Sequence, residues 1–255
     1  AYQALCRIIW NEAVRLNFLK NSDKLDAIER ASFERLLNET YTDADIRSSL
    51  KLLCTLLEKH YGQKPILLID EYDVPLDKAY AHGYYDQMID LIRSMFGAAL
   101  KTNESLFFAV LTGCLRVSKE SIFTGLNNLM VHSISDAKFN EYFGFTDVEV
   151  RKMLADYALE SHYEDTRAWY DGYRFGTQDV YCPWDVINYC YVLRDDPEAE
   201  PKAYWINTSG NELVRRLINK CADTAAQMDI ERLIAGETVS RQLNENLTHN
   251  EIDQN

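Results

Sequence analysis

Pro65-Ile66-Leu67-Leu68-Ile69-Asp70-Glu71 is a run of apolar residues that ends abruptly in two adjacent carboxylates. A short apolar run bounded by polar residues reads as a strand buried on both faces, as in a parallel sheet. In open α/β sheets, ligands bind at the carboxyl ends of the strands. Asp70 and Glu71 are therefore expected at the margin of the sheet where chemistry takes place. A second run, Leu106–Leu111, ends at Thr112-Gly113, and a third candidate strand covers Leu129–Ile134. Helical patterns separate these runs, which argues for an α/β fold with a parallel sheet and flanking helices.

Upstream, residues 2–20 carry Leu5, Ile9, Leu16 and Leu19 near one helical face, and a second helix is expected over 24–37. Thr42 suits an N-cap, with Asp43 and Asp45 in the first turn. Ile46, Leu50, Leu53 and Leu57 then follow at helical spacing up to Gly62. After Asp70 the residues Glu71 through Pro75 read as a loop, and 84–101 as another helix. From about residue 145 the character changes and strand signals become few. Thr146-Asp147-Val148-Glu149 is a capping box, and Ser161–Glu164 and Ser209–Glu212 fit the same pattern. Pro183 opens a helix with Trp184, Ile187 and Tyr191 along one face. The expected organisation is an α/β core over 1–145, a mostly helical domain over 146–236, and a polar tail or linker over 237–255.

The chain has 255 residues and a formal net charge of −13. That charge opposes broad contact with nucleic-acid phosphates or anionic membranes. No apolar run approaches the roughly 20 residues that cross a bilayer. Cysteines at 6, 54, 114, 182, 190 and 221 form no C-x-x-C pair, and the five histidines do not cluster. Reduced thiols in a cytoplasmic protein are the expectation.

A strand that delivers Asp-Glu at its end has the arrangement of a Walker B element. There the Asp supports Mg²⁺ on nucleotide phosphates and the Glu orients or deprotonates an attacking water. The phosphate-cradling G-x-x-x-x-G-K-[ST] loop that would accompany it is not in this sequence, because no glycine is followed by lysine. Asp73 adds a third acid whose plain alternative is a solvated acidic turn. Thr112 would lie near Asp70 on a neighbouring parallel strand, where it could contact a phosphate or water; a hydroxyl satisfying a turn is the alternative. Arg116 could stabilise phosphate charge, or form an ordinary surface ion pair. Trp169–Gly176 packs four aromatics into eight positions. It reads as tight turns after a helix, serving as a stacking platform or an aromatic plug.

Longer blocks carry a resemblance. These are Leu67–Leu76, Val110–Gly113 with Arg116, Ser121–Asn128, Tyr142–Thr146, Trp169–Gly176 and Tyr204–Ser209. In this order they resemble the bacterial AAA-ATPase-like proteins, in which a P-loop ATPase module often precedes a nuclease-like domain of the restriction-endonuclease type. The resemblance implies a P-loop NTPase-like (AAA/ASCE) core followed by a helical lid or winged-helix-like region. It implies Asp70 as the magnesium residue, Glu71 as the catalytic glutamate, Thr112 as a sensor and Arg116 as a phosphate-sensing arginine. ATP and Mg²⁺ are the implied ligands, expected only together with an upstream phosphate loop. The sequence thus looks like a middle piece of a longer protein, itself expected to bind ATP weakly or not at all. Two other functions stand beside this one. The chain could be a non-catalytic nucleotide switch or scaffold that offers its helical domain to a protein partner. By family association alone, it could be an accessory module of a nucleic-acid-processing enzyme.

Overall fold

The computed structural model describes residues 1–101, 103–114, 123, 126, 129–205 and 224–241. The chain opens with three helices, α1 (Tyr2–Arg15), α2 (Ala27–Leu37) and α3 (Asp43–Tyr61). The ends of α3 follow from its sequence. The Thr42 hydroxyl accepts from the Asp45 N–H while the Asp45 carboxylate accepts from the Thr42 N–H, a reciprocal cap for two otherwise orphaned donors. At the other end Gly62 takes φ +70, a left-handed cap that a side chain would oppose. Between them Ile46, Leu53 and Leu56 are buried against α1, α2 and a later helix. Helix α1 stops earlier than its apolar pattern suggests, and a 3₁₀ turn over Asn17–Asn21 buries Leu19 instead.

Strand β1 (Ile66–Ile69) follows, then α4 (Val74–Ala81), α5 (Tyr85–Phe96), a wide π turn over Gly97–Lys101, and β2 (Phe108–Leu111). Helix α4 occupies part of the stretch expected to be loop. Pro75 sits in its first turn, where a fixed φ and a missing N–H cost nothing. Strands β1 and β2 pair in parallel, from Ile66↔Phe108 to Ile69↔Leu111. Ile69 and Leu111 pack on the helical core. The opposite face does not match the expectation of burial on both sides. Ile66 is 57% exposed, Leu68 73%, Phe108 58% and Val110 43%. Four apolar residues in a row fit a half-covered strand as well as a fully covered one, so the run alone could not separate the two.

The described residues fall into two compact units, one of Ala1–Leu129 with residues 240–241 and one of Met130–Val239. The third expected strand does not form: 129–134 is irregular, with Met130, Val131 and Ile134 exposed rather than laddered. The second unit contains β3 (Phe145–Thr146), α6 (Asp147–Asp156), α7 (Tyr163–Tyr170), β4 (Asp171–Phe175), β5 (Gln178–Tyr181), α8 (Pro183–Asp195) and α9 (Thr224–Ile234). Its three strands form an antiparallel sheet in the order β3-β5-β4. Sequence signals had suggested helix almost throughout. The Trp169–Gly176 block, read as turns, is the end of α7 running into a hairpin strand. Phe175 pairs with Gln178 across a two-residue turn in which Gly176 takes φ +60. Helix α7 starts at Tyr163 after a short 3₁₀ turn, without the side-chain cap expected from Ser161. In α8, Val186, Tyr189, Cys190 and Leu193 are buried, so Trp184, Ile187 and Tyr191 lie on the solvent side. The expected cap at Ser209 and the expected tail beyond residue 241 lie outside the described residues.

Asp147 ties the second unit together. Its carboxylate accepts from the Tyr163 hydroxyl at 2.6 Å, the Tyr181 hydroxyl at 2.8 Å and the Arg151 guanidinium at 2.7 Å. Burial opposes its ionisation, but the bonds from Tyr163, Arg151 and Tyr181 outweigh that and pull the carboxyl down to about 2.

Two measurements check this fold. In urea unfolding, Leu56→Ala, at a fully buried position, is expected to cost about 2–5 kcal/mol. Leu68→Ala, on the open face of the sheet, should stay within about 0.5 kcal/mol. A large loss at Leu68 would show that face to be covered. The Asp147 contribution is fully present above the ordinary carboxylate value near 4 and fades as pH falls towards about 2. Melting of the second unit should therefore drop over that window. Asp147→Asn should flatten the drop and cost about 1 kcal/mol at neutral pH, after discounting for partial exposure.

Candidate functional site

The parallel register sets the geometry. Because Ile69 pairs with Leu111, the next residues, Asp70 and Thr112, leave the sheet side by side. The Thr112 N–H donates to the Ile69 carbonyl at 2.9 Å, and the Tyr72 N–H donates to the Thr112 carbonyl at 3.0 Å. Pairing thus continues past the strands into the two loops. The Thr112 hydroxyl donates to Asp70 Oδ1 and accepts from the Glu71 N–H, the latter at 3.2 Å. One hydroxyl therefore holds the Asp70 carboxylate and the Glu71 backbone, and Asp70, Glu71 and Thr112 are all exposed at this edge.

Glu71 holds a left-handed backbone, φ +51, which L residues seldom adopt. Immediately after it, Tyr72 and Asp73 close against the loop following β2. Asp73 is only 4% exposed and its carboxylate accepts from the Cys114 N–H at 2.9 Å. The alternative of a solvated acidic turn does not hold at Asp73, which is buried. Gly113 lies beneath this contact. A Cβ there would meet Tyr72 Cε1 at 2.7 Å and Asp73 Oδ1 at 2.9 Å. The Tyr72 ring rests edge-on against Phe123, their centroids 5.4 Å apart. Burial, with the Asp73 and Glu71 carboxylates nearby, pushes the Cys114 thiol up.

Of the residues that the sequence singled out, the structure brings Asp70, Glu71 and Thr112 together. Arg116 lies outside the described residues. Asp73 and Gly113 gained structural weight that spacing alone did not give them. A signal for Asp73 did exist: an Asp directly before Val74-Pro75 is a helix-start pattern.

Among the described residues no three His, Cys, Asp or Glu side chains are grouped to cage a metal. Mg²⁺ commonly takes one or two carboxylates and completes its shell with water and phosphate oxygens. Asp70 beside the Thr112 hydroxyl fits that pattern and does not fit an all-protein cage. Among the described residues no helix is long and apolar enough to cross a membrane.

Residues 5–123 match the family model described as predicted AAA-ATPase. An uncharacterized protein in the vnfD 5′ region of Azotobacter chroococcum mcd 1 is 31% identical over 148 residues. That alignment covers 58% of this chain and 27% of the other protein's length. No solved structure matches.

Gly113→Ala is expected to destabilise the first unit by about 1–3 kcal/mol, because Tyr72 and Asp73 must move to admit a methyl group. Gly97→Ala, with nothing within 4 Å of its would-be Cβ, should be neutral or gain up to about 1 kcal/mol. Thermal unfolding of the two variants checks this, and equal effects would contradict the close approach at Gly113.

Proposed function

We propose, from the match of residues 5–123 to the predicted AAA-ATPase family model, that the ends of β1 and β2 form the magnesium- and water-handling half of an ATP-hydrolysing site. The observation that carries this reading is the pairing that sets Asp70, Glu71 and Thr112 at one edge, under a single hydroxyl. Asp70 is the ligand for Mg²⁺, which when bound would neutralise phosphate charge. The Thr112 hydroxyl keeps the Asp70 carboxylate turned towards that position. The Glu71 carboxylate accepts a proton from water and aims it for in-line attack on the terminal phosphate. Arg116 is the residue we assign to the phosphate charge that grows during transfer.

The remaining half of the site, a loop of backbone N–H groups with a lysine on the phosphates, is proposed to come from sequence outside these residues. In this reading β1 and β2 are two strands of a P-loop-type sheet, and the second unit is its lid. The carboxylates supply no attraction for a triphosphate by themselves, so affinity depends on that outside loop and on the metal.

The test is steady-state hydrolysis by the chain extended upstream through a phosphate-binding loop. Glu71→Gln should retain Mg²⁺-ATP binding by calorimetry while turnover falls about a hundredfold or more. Unchanged turnover in this variant would remove Glu71 from the chemistry.

A further inference from the structure

Asp73 stands at the N-cap of α4, where an aspartate usually accepts a hydrogen bond from its own helix. Here it makes no such bond. Giving up a cap forfeits about 1 kcal/mol in typical hosts. The carboxylate is instead turned back across the site. It is buried to 4% exposure and accepts from the Cys114 N–H, 41 residues along the chain. Gly113 leaves room for this approach, since a Cβ there would lie 2.9 Å from Asp73 Oδ1.

The consequence falls on Glu71. On its N-terminal side, Asp70 is bonded to Thr112. On its C-terminal side, Tyr72 and Asp73 are bonded to Thr112 and Cys114. Glu71 is thus a single residue spanning two fixed points on the loop after β2, and it takes φ +51. A left-handed conformation costs an L residue about 1–2 kcal/mol. Such strain persists only where the surroundings over-determine it.

We propose that Asp73 is a positioning residue for Glu71: its buried carboxylate, anchored on the Cys114 N–H over Gly113, clamps the loop after β1 to the loop after β2. The clamp holds Glu71 in the left-handed backbone from which its side chain is presented at the sheet edge. The catalytic consequence rests on the ATPase reading of Glu71 given above. Asp73 itself touches neither water nor phosphate in this scheme; its carboxylate is committed to the protein interior.

Two measurements test the clamp, the first without any need for activity. In the 255-residue chain, Glu71→Gly removes the left-handed strain and should raise the folding equilibrium constant about fivefold. The same gain is expected in an Asp73→Asn background, where the amide oxygen can take the place of the carboxylate oxygen that accepts from the Cys114 N–H. In an Asp73→Ala background the clamp is gone, Glu71 relaxes, and the gain should vanish. If Asp73→Ala does not fold, Asp73→Ser, too short to reach the Cys114 N–H, takes its place. A gain of the same size without the Asp73 carboxylate would overturn the proposal, as would no gain with it.

The second measurement is kinetic, in the extended chain. Asp73→Ala should lower kcat about tenfold to a hundredfold with little change in KM, as a misplaced group does. Asp73→Asn should restore most of the rate. A coupled stability cycle with no ATP turnover at all supports the clamp and rejects the ATPase reading. Turnover lost in Glu71→Gln but unchanged in Asp73→Ala rejects the clamp and leaves that reading standing.

Discussion

The parallel pairing of Ile66–Ile69 with Phe108–Leu111 is the constraint on which the first unit's candidate chemistry depends. A parallel ladder ends both strands at the same edge. It therefore places the residue after Ile69 beside the residue after Leu111, whatever the loops do next. Thr112 converts that adjacency into orientation, with one hydroxyl donating to Asp70 and accepting from the Glu71 N–H. A one-residue slip would turn every side chain of β1 to the other face and separate the pair. Ile69 and Leu111, on the inner face of the strands, rest on the helical core of the first unit.

That support is one-sided. Leu68 and Ile66 face outward with Phe108 and Val110, whereas parallel sheets generally have both faces covered. The sheet layers alone thus hold the strand ends less firmly than in a fully sandwiched sheet. Hydrogen bonds between the two loops take over part of the task, through Thr112 on one side of Glu71 and Asp73 on the other. Between them Glu71 holds a left-handed backbone. Gly113 belongs to the same device, because its missing side chain is the space into which Tyr72 and Asp73 close.

Much of this is legible in the residues themselves. Thr42, Asp45 and Gly62 mark the ends of α3 because capping chemistry is local and needs no tertiary partner. The apolar runs ending at Asp70 and Thr112 announce two strands, and alternation with helices announces that they are parallel. The side-by-side placement of Asp70 and Thr112 follows from these two facts. What could not be read depends on contacts distant in sequence. The open face of β1 needs knowledge of what packs on it, and four apolar residues in a row look the same with or without a covering layer. The run at 129–134 has the composition of a strand, yet a strand exists only where another offers a ladder. The β4–β5 hairpin was obscured by its aromatic and glycine content, although Gly176 at a two-residue turn is a recognisable hairpin sign. Asp73 looked like one more surface acid because its partner, the Cys114 N–H, lies on another strand's loop.

The most direct measurement of the central claim is a crystal structure of the chain, extended through a phosphate-binding loop, with Mn²⁺ and a non-hydrolysable ATP analogue. The anomalous signal of manganese locates the metal without assumptions. The account predicts a peak at the shared end of β1 and β2, bound to Asp70 directly or through one water, with Glu71 facing the terminal phosphate. A nucleotide bound with its metal away from Asp70, or with the Glu71 side chain turned from the phosphates, would contradict it.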